Sequence, residues 1–208
     1  EIKLNGNKIL YAGWTEQEIN VETPEVGLTQ TFADVKAGDW FFKDVEFVCA
    51  NGLMNGASET AFAPNENTTR AQIAVIFYRL AGSPAAVGQN SFSDVEQGWY
   101  YDAATWAEQT GLMNGYENGN FAPDDFITRE QLAAIFYRYA QTAGYDVTTK
   151  GALDGFADKD VVSAWAQNAM DWAVASGLMN GTGDNQLDAQ GTATRAQIAA
   201  MFHRFIGD

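Results

Sequence analysis

Residues 69–72 read Thr69-Arg70-Ala71-Gln72, and the segment recurs as Thr128-Arg129-Glu130-Gln131 and Thr194-Arg195-Ala196-Gln197. Each copy has a second arginine at one fixed distance downstream and a tryptophan at one fixed distance upstream. The second arginines are Arg79, Arg138 and Arg204, and the tryptophans are Trp40, Trp99 and Trp165. A constant internal period of this kind indicates a repeat architecture, so the chain is interpreted as three copies of one unit.

Two further features mark each unit. It opens on an aromatic-x-Asp segment, with the carboxylates at Asp34, Asp94 and Asp158, and later contains the identical pentapeptide Gly-Leu-Met-Asn-Gly, which ends at Gly56, Gly115 and Gly181. The first glycine of the pentapeptide, at Gly52, Gly111 and Gly177, follows a helical stretch and predicts a left-handed helix stop. Spacing is constant within the units and variable only between them, which is typical of rigid helix–loop–helix units joined by surface linkers at 83–91 and 144–155. The predicted units are residues 32–83, 92–143 and 156–207.

The second helix of each unit is the most strongly indicated element. The threonine before the first arginine predicts an N-cap, and the glutamine three residues later predicts a capping box. Apolar residues then follow at helical spacing. One helix pair alone buries too little apolar surface, so the sequence predicts an all-α, three-lobed assembly whose units share a core around a pseudo-threefold axis.

Residues 1–31 do not fit the repeat. The segment Ile2–Leu10 alternates around Asn5-Gly6, which favours a hairpin, and Thr15–Thr31 is interpreted as a linker. We expect 1–31 to be a linker or the tail of a preceding module. The chain begins at Glu1, which favours an excised fragment.

The bulk charge restricts the class of partner. The formal net charge is −15, which argues against nucleic-acid binding and against adhesion to an anionic membrane. No apolar run approaches the roughly 20 residues that span a bilayer, so no membrane insertion is expected. The single cysteine, Cys49, excludes an internal disulfide and is interpreted as a packing residue. Any anionic ligand must therefore be held by local geometry.

The first arginine of each unit, at Arg70, Arg129 and Arg195, has two interpretations. A cation at a helix start is disfavoured by the helix dipole by about 0.3–1 kcal/mol, so something must offset that cost. One possibility is an ion pair with the aspartate of the unit's opening segment or with a neighbouring unit's carboxylate. The other is an anion site, in which free backbone N–H groups and the guanidinium fork hold a carboxylate or phosphate.

Two other sets of side chains favour structural roles. The later arginines lie near helix C-termini, where a cation complements the dipole, and are interpreted as structural or surface residues. A tryptophan at fixed helical spacing is most often in the core, although one at a groove rim can stack on a sugar ring. The sequence favours a core or half-buried position for Trp40, Trp99 and Trp165.

Over about residues 32–207 the chain resembles the surface-layer homology family, the SLH repeat. The features that carry the resemblance are the F-x-D opening, the tryptophan, the G-x-x-x-G turn, the F-x-P segments at Phe62-Ala63-Pro64 and Phe121-Ala122-Pro123, and the T-R-[AE]-[EQ] helix start. They occur here in the family's order, in three copies.

This resemblance implies a secreted bacterial protein anchored without a covalent bond at the cell wall or surface layer. Three tandem repeats of the family form a three-pronged, pseudo-threefold spindle whose grooves bind secondary cell-wall polysaccharide, often through a terminal pyruvylated N-acetylmannosamine. The arginine that meets the pyruvyl carboxylate corresponds to Arg70, Arg129 and Arg195. Further ligand-binding residues are implied at Trp40, Trp99, Trp165, Gly56, Gly115, Gly181, Asp34, Asp94 and Asp158.

The sequence departs from the family pattern in two places. The usual glutamate of the helix start is glutamine in every unit, which still completes a capping box but carries no charge. The third unit has Leu187-Asp188-Ala189-Gln190 in place of F-x-P, so its groove is expected to be the one altered or inactive.

Two other classes of function, a protein-interaction module and an enzyme, are suggested by the acidic residues of the sequence. The acidic surface allows a structural or protein-interaction module that assembles in a surface layer, although charge excess is more simply a solubility feature. The acidic pairs Asp124-Asp125 and Asp158-Lys159-Asp160 do not recur at equivalent positions, and the single histidine, His203, replaces a tyrosine of the other units. The sequence therefore predicts no enzymatic activity, no cofactor and no metal site.

Overall fold

The computed structural model describes residues 8–10, 16–18, 32–151 and 153–207. Each unit contributes a first helix of nine residues and a longer second helix. The six α-helices are α1 (Phe42–Ala50), α2 (Arg70–Leu80), α3 (Tyr101–Gln109), α4 (Arg129–Thr142), α5 (Gln167–Ala175) and α6 (Arg195–Ile206). Two 3-10 turns, Leu153–Gly155 and Lys159–Val161, precede α5. The predicted all-α class of the repeats is confirmed.

A short antiparallel ribbon lies before the repeats. It pairs β1 (Lys8–Leu10) with β2 (Glu16–Glu18), and Ile9 lies opposite Gln17. The ribbon joins residues on either side of 11–15, whereas the sequence favoured a hairpin around Asn5-Gly6, which lies outside the described residues. β2 also falls in the stretch that was interpreted as linker.

The predicted capping boxes are present at all three second helices. At α2 the Thr69 hydroxyl accepts a hydrogen bond from the Gln72 amide, and the Gln72 side-chain oxygen accepts one from the Thr69 amide at 2.9 Å. Thr128 with Gln131 and Thr194 with Gln197 repeat this arrangement. Each box satisfies two backbone donors that a helix start otherwise leaves without partners.

The helices pack between units. The second helix of each unit packs on the first helix of the next, giving the pairs α2 with α3, α4 with α5, and α6 with α1. Among the described residues the helix pairs therefore form between repeats, and the two helices of one repeat do not form such a pair. The loop between them carries the second helix away to the neighbouring unit, because both ends of that loop bond to other units.

The pair α6–α1 joins the last unit to the first. There His203 stacks on Phe47 with 4.3 Å between ring centroids, and its Nδ1 lies 2.7 Å from a carboxylate oxygen of Asp44. Tyr78 on Trp106 and Tyr137 on Trp172 occupy the equivalent positions. The one histidine is thus part of the contact that closes the chain on itself.

The three units meet at a common centre. Phe77, Phe136 and Phe202 contact one another with ring centroids 4.8–4.9 Å apart. Beside them a backbone triangle runs from the Thr68 amide to the Ala193 carbonyl, from Ala193 to Ile127, and from Ile127 to Thr68, at 2.9–3.2 Å. This cyclic order is the one that a pseudo-threefold assembly requires. The three-pronged spindle outline stays a prediction.

The opening aspartates clamp the loop that leads to the second helix. Asp34 accepts hydrogen bonds from the amides of Phe62 and Ala63, both at 2.8 Å. Asp94 binds the Phe121 and Ala122 amides, and Asp158 those of Leu187 and Asp188, in the same way. The second amide of each pair belongs to a non-glycine residue with a φ of 51–59°, a left-handed conformation that the carboxylate stabilises.

Acid should release this clamp. Burial opposes ionisation of Asp34, but the Phe62 and Ala63 amides outweigh it and hold the pKa of Asp34 below its usual value. The stabilisation is therefore present above the unfolded-state pKa, about 3.9, and is lost as the pH falls through the lower folded-state pKa. We expect Asp34→Asn to lower the free energy of unfolding by about 1.5–3 kcal/mol at neutral pH, and by much less near pH 2.

Denaturant titrations at both pH values measure this change. Asp124→Asn, at an exposed loop carboxylate, is the control and should change little at either pH. An Asp34→Asn cost that is equal at neutral pH and near pH 2 would contradict the clamp.

The central backbone triangle carries one unsatisfied group. The Thr68 hydroxyl is buried and has no hydrogen-bond partner. An unpaired buried hydroxyl costs about 1–3 kcal/mol, so Thr68→Val should raise the free energy of unfolding by about 1 kcal/mol.

Thr105→Val is the matched control for this substitution. Thr105 is equally buried, but its hydroxyl bonds to the Tyr101 carbonyl at 2.8 Å and to Asn90 at 3.0 Å. Thr105→Val should destabilise the chain in the same thermal or denaturant titration. A similar loss for both variants would show that the Thr68 hydroxyl has a partner.

Candidate functional site

The first arginine of each unit reaches across to the next unit. Arg129 donates from Nε to the Leu187 carbonyl at 2.8 Å and from Nη2 to the Asn180 carbonyl at 2.6 Å. Arg195 donates in the same way to Phe62 and Asn55, at 2.7 and 2.6 Å, which closes the cycle from unit three to unit one.

Arg70 makes the equivalent pair of bonds with unit two. Its Nε lies 2.7 Å from the Phe121 carbonyl oxygen, and its Nη2 lies 3.3 Å from that of Asn114. All three arginines are buried. The asparagine acceptors are the fourth residues of the Gly-Leu-Met-Asn-Gly segments, so the turn directs its carbonyls at the guanidinium.

These bonds correct both sequence interpretations of the helix start. Within residues 32–151 and 153–207 the ion pairs are Lys159–Asp154 and His203–Asp44, so backbone carbonyls, and no carboxylate, hold these arginines. The first backbone amides of the helices are not free either. The Arg129 amide donates to the Gly191 carbonyl at 2.9 Å and the Glu130 amide to Ala189 at 2.8 Å, and the other two helices repeat this pattern. The guanidinium alone is left for an anion.

One nitrogen of each guanidinium remains available. Nη1 of Arg70, Arg129 and Arg195 has no hydrogen-bond partner in the described part of the chain, and it is not among the fully buried unsatisfied atoms. Burial lowers the pKa of all three side chains. Arginine nevertheless stays charged in proteins, so each site holds a poorly hydrated cation whose Nη1 donates to no described residue.

A groove of about 260 Å³ opens at Arg129 and is built from all three units. Unit one supplies Trp40, unit two supplies Arg129, and unit three supplies Gly181 and one face of α6. The remaining lining residues are Met179, Asn180, Thr182, Gln197, Ala200, Met201 and Arg204. The predicted site residues are arginines, tryptophans, glycines and aspartates. The first three kinds meet in this groove, as Arg129, Trp40 and Gly181, and each comes from a different repeat.

The tryptophans lie at the surface. Trp40, Trp99 and Trp165 are 64%, 66% and 57% exposed, so the expected core or half-buried position is wrong. Trp40 rests edge-on against Phe41 at 5.3 Å between ring centroids, and Trp99 against Tyr100 at 5.2 Å. These contacts hold one side of each ring and leave most of its surface exposed, and Trp40 lines the groove at Arg129.

The two glycines of each pentapeptide act differently. Gly52, Gly111 and Gly177 end the first helices with φ of 66–75°, as predicted for left-handed stops. Gly56, Gly115 and Gly181 are needed for space, because an added Cβ would lie 2.4–2.7 Å from a backbone oxygen and 2.5–2.8 Å from the aromatic ring of the unit's opening segment. Gly181 therefore lets the groove wall pass close to Phe156.

The aspartates and the later arginines support the walls. Asp34, Asp94 and Asp158 use both carboxylate oxygens on the loop clamps, and none of them lines the groove at Arg129. Arg79, Arg138 and Arg204 each donate from Nη1 to the leucine carbonyl of their own pentapeptide at 3.1–3.2 Å. These arginines were interpreted as structural or surface residues, yet Arg204 also lines the groove. Its constant spacing from Arg195 was the signal in the sequence.

The segment 187–190, which replaces F-x-P in unit three, still accepts a hydrogen bond from the arginine of the neighbouring unit. Leu187 still supplies the carbonyl for Arg129, so the loss of F-x-P does not remove the groove. Among the described residues no helix is long and apolar enough to cross a bilayer, and no cluster of three or more potential metal ligands occurs.

The family model of the S-layer homology domain matches residues 31–74, 91–133 and 155–199, at the three predicted repeats. An amylopullulanase of Thermoanaerobacterium thermosulfurigenes is 33% identical over 84% of this chain, which corresponds to 9% of that protein. A cellulosome-anchoring protein of Acetivibrio thermocellus is 33% identical over 73% of the chain and 35% of its own length.

A surface-layer 125 kDa protein of Lysinibacillus sphaericus is 31% identical over 74% of the chain and 13% of its length. The chain thus spans between 9% and 35% of these three relatives, which are named as an amylopullulanase, a surface-layer protein and a cellulosome-anchoring protein. With three matched segments in tandem and such relatives, this chain belongs to the S-layer homology family.

Proposed function

We propose that this chain anchors a secreted bacterial protein to the cell surface by binding secondary cell-wall polysaccharide in its inter-repeat grooves. S-layer homology domains are cell-wall anchoring modules, and the chain has three of them. The terminal sugar that we propose is pyruvylated N-acetylmannosamine, whose ketal carries a carboxylate. The observation that carries this choice is the open Nη1 edge of the buried Arg129 guanidinium beside an exposed tryptophan.

The groove chemistry matches such a sugar in two parts. A carboxylate at Nη1 meets a cation that burial has already separated from water, which strengthens a charge-assisted hydrogen bond. The open face of Trp40 suits the C–H face of a pyranose. Neither part needs long-range attraction, so a chain with a net charge of −15 can still hold an anionic sugar.

The tryptophans give the cleanest test, because the arginines also hold the fold. Replacing Arg129 by alanine leaves two carbonyl acceptors without donors, and each lost bond to a charged group costs about 1.5–3 kcal/mol. The triple variant Trp40→Ala, Trp99→Ala, Trp165→Ala removes exposed rings instead. We expect it to stay folded and to lose sedimentation with cell walls, with at least about a tenfold loss of affinity for each truncated groove, since tryptophans often dominate binding energy.

The matched control is Val87→Ala with Phe126→Ala, two exposed apolar residues absent from the lining of the Arg129 groove. This variant should sediment with walls as the wild type does. Wall binding that survives in a folded triple-tryptophan variant would refute the proposal that the grooves bind the polysaccharide. Equal binding to walls stripped of polysaccharide would favour the other function, a protein-interaction module in surface-layer assembly.

A further inference from the structure

The three grooves differ at the residue that follows the second glycine of the pentapeptide. That residue is Ala57 in unit one, Tyr116 in unit two and Thr182 in unit three. Thr182 lines the open groove at Arg129. By the register of the repeat, Tyr116 holds the same position in the groove at Arg70, where the larger side chain changes what the groove can admit.

Tyr116 covers the arginine of its groove. The Arg70 guanidinium carbon lies 4.7 Å from the centroid of the Tyr116 ring, within the range of a cation–π contact. The backbone of Tyr116 is fixed by a tight turn, in which its amide donates to the Asn120 carbonyl at 2.8 Å and its carbonyl accepts from the Gly119 amide at 2.9 Å. The Arg195 guanidinium carbon lies 4.6 Å from the Phe62 ring and that of Arg70 lies 5.1 Å from the equivalent Phe121 ring, so the Tyr116 ring is the contact that Arg70 has in addition. Neither Ala57 nor Thr182 has an aromatic ring that could add such a second contact at Arg195 or Arg129.

Tyr116 also links the two walls of this groove. Its hydroxyl accepts a hydrogen bond from the Gln131 side-chain nitrogen at 3.2 Å. The Gln131 oxygen accepts from the Thr128 amide in the capping box, which turns the nitrogen outward. In the open groove the equivalent residues, Thr182 on the loop and Gln197 on α6, both line the cavity. The tyrosine therefore spans a gap that is open at Arg129.

We propose, on the basis of the proposed function, that Tyr116 closes the Arg70 groove to the carboxylate-bearing sugar and so makes the three grooves unequal. A ligand at Arg70 would have to displace both the ring from the guanidinium and the hydroxyl from Gln131. The grooves at Arg129 and Arg195 have no such strap, and they take the ligand. Tyr116 is thus a specificity-determining residue that lowers the number of working sites.

A reciprocal exchange tests this inference by calorimetric titration with the methyl glycoside of pyruvylated N-acetylmannosamine. Tyr116→Thr gives unit two the residue that unit three has at this position, and the number of bound glycosides per chain should rise by one relative to the wild type. Thr182→Tyr copies unit two into unit three and should lower it by one site. The double exchange should restore the wild-type number, and Tyr116→Ala should act as Tyr116→Thr does, since Ala57 is the natural residue of unit one.

The possible outcomes distinguish a failure of this inference from a failure of the proposed function. A wild type that binds the glycoside at three equal sites, or one whose stoichiometry is unchanged in both Tyr116 variants, overturns this inference and leaves the proposed function intact. A folded wild type that binds no glycoside overturns the proposed function, and this inference with it. Because Tyr116 is 40% exposed on a loop, both Tyr116 variants should melt at nearly the wild-type temperature.

Discussion

A guanidinium that donates to two backbone carbonyls of the neighbouring repeat is the interaction on which this molecule depends. It occurs from unit one to two, from two to three and from three back to one. Carbonyl dipoles replace the water that each buried cation has lost, without neutralising its charge. The same bonds direct each second helix onto the first helix of another unit, so no repeat completes a helix pair or a groove alone.

In the proposed function, the fold and the binding of a ligand therefore depend on the same side chain. Nε and Nη2 join the units, and Nη1 has no hydrogen-bond partner among the described residues. A binding site made this way is preorganised, because the arginine loses no further side-chain freedom when a ligand arrives. It is also vulnerable, since a change at Arg129 alters stability and affinity together. The acidic composition favours solubility, and in the proposed function the attraction for an anion comes from the groove itself.

Interactions between residues close together in the chain were predictable from the sequence, and contacts between repeats were not. The Thr69–Gln72 capping box and the Gly52 helix stop depend on residues close in the chain, and both were predicted. The placement of Trp40 beside Arg129 and Gly181 depends on how three units meet, so the tryptophan was expected in the core. The partners of Arg129 are backbone carbonyls, which every residue has, so no residue type in the sequence marks them. The sequence does not single out Tyr116, because the effect of one larger loop residue depends on which residue lies on the opposite wall of the groove.

The most direct measurement is the ¹⁵N NMR spectrum of the Arg129 guanidinium during titration with pyruvylated N-acetylmannosamine glycoside and with its unpyruvylated twin. The proposed contact between Arg129 and the sugar carboxylate predicts that only the pyruvylated sugar shifts the Nη resonances and slows exchange of their protons. The Nε signal, held by the Leu187 carbonyl, should change little. Equal responses to both sugars, or binding without any change at Arg129, would contradict it.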